Sequence, residues 1–443
     1  MKKYDLIIIG SGSGLNIASK AIQQNKKIKI AIIEKSKMGG TCLNHGCIPS
    51  KMLLHYKDVI ESIKSSKDFF IKSKIEKIDY EKIISSTDYQ LNKLSREIYS
   101  FYKKSRQIDL YKGNAKFIDN HTLKVSKDLI YGKKIVLAIG ARASIPNIQG
   151  LENIDYLTYI EALKLKTLPK TMTIIGGGYI GIELSNFFQS MGCKVTILEA
   201  KKILSNVDDE IASEFKKKFL KNIKVIENVN IKKIESKNKK ITVFFNNKKI
   251  TSEKLLISTG IKPNTDLIDI QNTNIKLDEK GFIKVNKYLQ TSIKHIYALG
   301  DCINSYFFKH SANFESLYVF EKIFKKHTPK INYPPIGYCV FSTPEIAGVG
   351  ITLKQAKSSK YYIKKANFKD IASSMIVKDN TGVLYLIFEK KTNRLKGSHV
   401  VSKNASILIH ILIAFMQKKA KEEDLKEMIY IHPSFGEFIK KAL

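Results

Sequence analysis

Two cysteines five positions apart, Cys42 and Cys47, lie in the run Gly39-Gly40-Thr41-Cys42-Leu43-Asn44-His45-Gly46-Cys47-Ile48-Pro49-Ser50-Lys51. A disulfide can take up an electron pair by thiol exchange, and the resulting thiol pair can pass it on. A regular helix sets Cα atoms five residues apart at about 8.6 Å, and a disulfide spans at most about 7 Å. The pair therefore needs a deformed helix start. Pro49 has no N–H to give the carbonyl of His45 and clashes with it, so it is placed to deform that start. The bland alternative is two unrelated buried thiols. Lys51, one turn beyond Cys47, would share its helix face and stabilise a thiolate; otherwise it is a solvated surface lysine. Near the other end, His432-Pro433-Ser434-Phe435-Gly436-Glu437 sets a carboxylate five residues after an imidazole. An incoming thiol must lose a proton before exchange, and a carboxylate-oriented histidine suits that work. A His-Pro turn alone is more often structural; the cysteine pair in the same chain gives it weight. The remaining histidines show no metal-ligand spacing, so no metal site is expected.

These side chains need elements to hold them. Residues 5–9 read as a strand, 10–14 as a glycine turn, 15–24 as a helix and 28–33 as a second strand ending in Glu34. That is a βαβ nucleotide unit with its acid about 20 residues on. Gly10 and Gly12 fit G-x-G-x-x-G, but Leu15 stands where the third glycine belongs. Gly14 is one residue early, so close helix–strand packing must be achieved differently there. A second unit follows: strand 171–175, Gly176-Gly177-Gly178-Tyr179-Ile180-Gly181 with all three glycines, helix 182–191, and strand 194–198 ending in Glu199. Two such fingerprints imply two dinucleotides, each with its phosphates at a helix N-terminus. Glu34 and Glu199 would each bind a ribose. A carboxylate at 199 repels a 2′-phosphate and favours NAD over NADP, a preference that Lys201 and Lys202 could soften.

The 443 residues are enough for roughly three domains, and 43% hydrophobic content supports substantial cores. Five scattered cysteines do not make a secreted disulfide framework and suit a cytoplasmic enzyme with one catalytic pair. The most apolar stretch, 405–416, is too short to span a membrane, and the N-terminus lacks a leader's cleavage site. The net charge of +35 comes from lysines dispersed through every region without a nucleic-acid motif; neither nucleic acid nor membrane is expected as a partner. Residues 52–110 read as helices and 111–140 as short strands. Strands are expected at 255–260 and 296–301. From about Tyr333 the pattern becomes α+β, with strands at 338–341 and 383–389 and a helix at 405–418.

Over nearly its full length the chain resembles the class I pyridine nucleotide-disulfide oxidoreductases, flavoproteins that include dihydrolipoamide dehydrogenase, glutathione reductase, mycothione reductase and mercuric reductase. The Gly39–Lys51 run looks most like dihydrolipoamide dehydrogenase. The resemblance implies an α/β protein of two Rossmann-like dinucleotide-binding domains, for FAD and NAD, plus an α+β dimerisation domain. The expected bounds are 1–145 for FAD, 146–264 for NAD, 265–331 completing the FAD domain and 332–443 for dimerisation. It implies a Glu183–Lys51 pair beside the flavin, Asp301 on the ribityl chain, and His432 with Glu437 reaching the active site of the other subunit of a homodimer. The family's Ala-Thr-Gly turn is here Ala138-Ile139-Gly140, and its Gly-Arg-x-Pro-Asn turn is Gly260-Ile261-Lys262-Pro263-Asn264. The catalytic set is then Cys42, Cys47, Lys51, Glu183, His432 and Glu437. The dinucleotide-binding set is Gly10, Gly12, Gly14, Glu34, Lys51, Gly140, Asp301, Gly176, Gly178, Gly181, Glu199 and Gly260. The implied reaction is oxidation of dihydrolipoamide by NAD⁺, with lipoyl groups on an acidic carrier domain as one substrate source. The alternative is NAD(P)H-dependent reduction of a glutathione-, mycothiol- or bacillithiol-type disulfide, since Gly10–Leu15 and Phe308–Asn313 look more like mycothione reductase. Mercuric reductase is disfavoured, because Lys440-Lys441-Ala442-Leu443 carries no cysteine pair.

Overall fold

The computed structural model describes residues 1–443, which fall into two compact units: 1–50 with 84–144 and 260–332, and 51–83 with 145–259 and 333–443. In the first unit the apolar run Lys2–Ile9 pairs in parallel with Ile30–Glu34 on one side and Asp128–Leu137 on the other. These are the central strands of a seven-stranded sheet, with Ile108–Lys112 outside Ile30–Glu34. The long strand Asp128–Leu137 takes Thr122–Val125 antiparallel along its first half and Ile296–Ala298 parallel along its second. Ile7 and Ile8, which point to opposite faces, are both fully buried. That explains a continuous apolar run in place of an alternating one. Leu15–Gln24 and Lys309–Phe324 are helices of this unit, and Ile17, Ala18 and Val319 join the strands in one core.

The second unit has a parallel sheet ordered Lys224–Ile226, Lys194–Leu198, Thr171–Ile175, Lys254–Ile257. The helix Tyr179–Ser190 follows the strand Thr171–Ile175. An antiparallel sheet of Ile231–Lys237, Lys240–Phe245 and Lys248–Ser252 is one the sequence reading missed. Its two-residue turns, Asn238-Lys239 and Asn246-Asn247, all have positive φ, the geometry tight hairpins require. The same unit contains a five-stranded antiparallel sheet ordered Gly337–Val340, Glu345–Gly350, Leu395–Ser402, Val383–Glu389, Tyr361–Asn367. Its core joins Leu384, Leu386 and Phe388 to Leu408, Leu412 and Phe438. Residues 260–264, grouped with the NAD fingerprint in the sequence reading, lie in the first unit, where Ile261–Pro263 pairs with Ala141–Ala143. The helix Ala405–Gln417 has 13 residues, and no helix is long and apolar enough to cross a membrane.

Candidate active site

The cysteine run folds as two helices, Gly40–His45 and Cys47–Ser65, broken at Gly46, whose φ/ψ of −136°/−113° leave the helical region. The deformation expected at Pro49 is thus made at Gly46. Pro49 is the third residue of the second helix, where a missing N–H costs nothing because first-turn N–H groups have no intrahelical partner. A Cβ at Gly46 would lie 3.1 Å from the Thr41 carbonyl oxygen and 3.3 Å from Cys42 Cα, so the break depends on a bare backbone. Cys42 is half-buried and Cys47 exposed. The buried Asn44 side chain donates to the carbonyls of Met38 and Gly40, at 3.0 Å each, and fixes the loop before the thiols.

The first glycine turn is held against this loop by direct backbone contact. A Cβ on Gly40 would come within 2.6 Å of Gly12 Cα, and Gly40 has φ +69°. The Gly39 N–H donates to Ser11 Oγ at 3.0 Å, and that hydroxyl in turn donates to Glu34 Oε2 at 2.6 Å. Glu34 therefore ends its strand as expected and also ties the turn to the thiol loop. The close packing that Leu15 cannot provide is made one residue early, by Gly14. A Cβ there would meet Ile8 Cγ2 at 2.7 Å and the Gly10 carbonyl oxygen at 2.9 Å, so Gly14 makes the close approach itself. In the second turn Gly181 does so, with a would-be Cβ 2.2 Å from the Gly176 carbonyl oxygen.

Glu199 accepts from the Gly177 N–H at 2.7 Å and the Lys201 N–H at 2.9 Å, while Lys202 pairs with Asp209 at 3.2 Å. Lys51 Nζ donates to Glu183 Oε2 at 2.6 Å, and the other Glu183 oxygen accepts from the Phe341 N–H at 3.1 Å. The ammonium also lies 4.5 Å from the Phe341 ring centroid. The Gly140 and Gly260 turns belong together: the Asn264 N–H and amide donate to the carbonyls of Gly140, at 3.1 Å, and Ile139, at 2.8 Å.

His432 is 71% exposed and is joined to Pro433 by a cis bond. Its Nδ1 lies 2.9 Å from Glu437 Oε1, and Glu437 Oε2 accepts from the Ser434 N–H at 3.1 Å. These bonds, that from His432 first, hold the Glu437 carboxyl below its usual range. Ile429 and Ile431, just before His432 in the chain, are 96% and 79% exposed. Cys193 and Cys302 are inert by contrast, since burial pushes both thiols up to about 12. No group of three or more His, Cys, Asp or Glu side chains is placed to hold a metal ion.

Residues 4–318 match the family described as pyridine nucleotide-disulphide oxidoreductase, and residues 336–443 match its dimerisation domain. The chain belongs to that family. It is 32% identical to the mercuric reductase of Lysinibacillus sphaericus, over 99% of this chain and 82% of that one. It is also 32% identical to the dihydrolipoyl dehydrogenase of Geobacillus stearothermophilus, over 99% and 95%. In structure it superposes on the HOCl-induced flavoprotein disulfide reductase RclA of Escherichia coli, solved as a Cu(II) complex. The TM-score is 0.91 at 28% identity, over 100% of this chain and 99% of that one. The protein is thus a flavoprotein oxidoreductase that uses a pyridine nucleotide, and its dimerisation domain supports a homodimer.

The residues of this oxidoreductase fit the two dinucleotides. Gly178 caps its helix at φ −78°, which any residue adopts, and a Cβ there would touch nothing in the protein. The space a side chain would fill is left for a ligand at the positive end of the helix. In the first unit the half-buried Asp301 carboxyl is pushed up to about 6, by burial first and then by Glu315, with Lys309 opposing. Burial leaves this carboxyl short of hydrogen-bond donors, and the hydroxyls of a sugar-alcohol chain would supply them and favour its charged form. Sequence reasoning gave no role to Ser11, Gly40 or Gly46. The paired glycines before Thr41 and the glycine between the cysteines were the available signals.

Proposed function

We propose that this oxidoreductase transfers electrons from a dithiol, dihydrolipoamide in the first instance, to NAD⁺, with His432 of one protomer serving the cysteines of its partner. The observation that carries this reading is the exposed His432–Glu437 pair. A thiol substrate must surrender a proton before it can attack a disulfide. An imidazole whose Nδ1 is engaged by a carboxylate presents Nε2 as the acceptor. His432 takes the proton from one substrate thiol, and the resulting thiolate attacks Cys42. The S–S bond to Cys47 breaks, and Cys47 leaves with the electron pair. The second substrate thiol displaces Cys42, closing the substrate disulfide and leaving both enzyme thiols reduced. FAD, held by Gly10, Gly12, Gly14, Glu34 and Asp301, would supply the step from two-electron thiol chemistry to hydride transfer to the nicotinamide. Lys51, fixed by Glu183 and one turn beyond Cys47, places a cation that favours the thiolate. Glu199, already accepting from the second turn, favours a ribose 2′-hydroxyl over a phosphate.

A second reading runs the exchange in the other direction, from NAD(P)H to a low-molecular-weight disulfide, and the Phe308–Asn313 segment favours it. The two are separated by a panel on purified, FAD-loaded enzyme. It measures NAD⁺ reduction by dihydrolipoamide against NAD(P)H oxidation by lipoamide, glutathione disulfide, Hg(II) and Cu(II). Dihydrolipoamide turnover at least tenfold above every other substrate in kcat/KM supports the first reading. Metal-ion turnover that survives His432→Gln, with none on dithiols, overturns it.

A further inference from the structure

Lys309 is the first residue of the helix Lys309–Phe324, which begins without a side-chain cap. A cation there meets the positive end of the helix dipole, the wrong end for its charge. It is also half-buried, and it forms no ion pair with a carboxylate. Its Nζ instead donates to Ser13 Oγ at 3.0 Å, in the middle of the first glycine turn. Ser13 has one proton, and it goes to Asn313 Oδ1 at 3.0 Å. Asn16 Nδ2 donates to that same oxygen at 3.1 Å and to Ser316 Oγ at 3.0 Å, which orients the amide. The chain of bonds thus runs in one direction, from Lys309 through Ser13 to Asn313. It leaves Ser13 with no proton for a ligand and Lys309 with two. Burial lowers the lysine's affinity for its proton, and the charges of Cys42, Cys47 and Asp301 oppose that shift. A cation in this setting lacks its anion, and it sits at the positive end of the helix Leu15–Gln24, where the N–H groups of Leu15, Asn16 and Ile17 are already taken by the carbonyls of Gly12, Ser13 and Gly14.

We propose that Lys309 is the cation that binds the diphosphate of the dinucleotide held at the first glycine turn. This rests on the reading that FAD occupies that turn. The test follows flavin release from the holoenzyme by fluorescence on dilution, for the wild type, Lys309→Met and Lys309→Arg. Lys309→Met should weaken FAD binding on the order of 10- to 100-fold, the usual worth of a charge-assisted hydrogen bond to phosphate. Lys309→Arg should recover most of it. The wild-type affinity should also fall with added salt more steeply than that of Lys309→Met. Riboflavin, which has no diphosphate, should bind flavin-stripped wild type and Lys309→Met equally. An unchanged FAD affinity in Lys309→Met overturns the proposal while leaving FAD in place. So does an equal loss for riboflavin, or a loss matched by Lys309→Arg, either of which marks a purely structural lysine. Wild-type protein that binds no FAD overturns both the proposal and the reading beneath it.

Discussion

Replacing Lys51 with Met removes the partner of a carboxylate that is 10% exposed, while Lys51 itself is 35% exposed. Breaking a fully buried pair costs about 3–5 kcal/mol, because the remaining charge is left desolvated. Two features reduce the figure here. Water reaches the lysine end of the pair, and Glu183 keeps the Phe341 N–H. One feature adds to it: the ammonium leaves the Phe341 ring, an interaction worth about 0.5–1 kcal/mol at an accessible site. The net expectation is a loss of about 2–3 kcal/mol. The assay is urea unfolding of wild type, Lys51→Met, Glu183→Gln and the double variant, compared by midpoint at constant slope. The double variant should be more stable than the sum of the singles implies by about 1–2 kcal/mol, since the amide no longer strands a charge. Lys51→Met within about 0.5 kcal/mol of wild type, or strict additivity, would refute the claim that this pair is a coupled, desolvated unit.

Three further outcomes follow from the same geometry. His432→Gln should slow reduction of the enzyme by dithiol by a factor on the order of 10²–10⁴ in rapid mixing, with flavin content unchanged; unaltered rates would assign the proton to another group. The kcat/KM for NAD(H) should exceed that for NADP(H) by at least ~10-fold, as like charges at Glu199 cost a 2′-phosphate several kcal/mol; a preference for NADP(H) would transfer the recognition to Lys201. The third concerns Asp301, whose carboxyl is raised to about 6 in the folded chain. The native state then binds more protons than the unfolded chain between about pH 4 and 6, so stability falls as pH rises through that window. In flavin-stripped protein, Asp301→Asn should be more stable than wild type by about 2–3 kcal/mol at pH 7.5 and equal to it below pH 4. An advantage that grows on acidification would reverse the sign and defeat the argument.

The two nucleotide units were legible because their signal is local: an apolar run, a glycine turn, a helix and an acid at fixed offset. The His432–Glu437 contact was legible for the same reason, lying five residues apart. The Lys51–Glu183 pair spans 132 residues and was reached only through the family likeness. What escaped was decided by backbone proximity. Pro49 drew attention because its chemistry is conspicuous, yet the helix breaks at Gly46, where the requirement is an absent Cβ facing Thr41 and Cys42. The Gly12–Gly40 contact is likewise a meeting of two bare backbones 28 residues apart, with no side chain to announce it. The hairpins at Asn238-Lys239 and Asn246-Asn247 were hidden among lysines, because the turn residues are not the Asn-Gly or Asp-Gly that usually mark such turns.

The local bonding of His432 has one more consequence. Its imidazole is oriented by Glu437, and Glu437 by the Ser434 N–H, all within six residues of a single chain. The imidazole is therefore aligned as the chain folds, by bonds within that chain alone. If His432 is the base proposed above, association has to supply only position, and the entropy of aligning the imidazole drops out of both the assembly step and the chemical one.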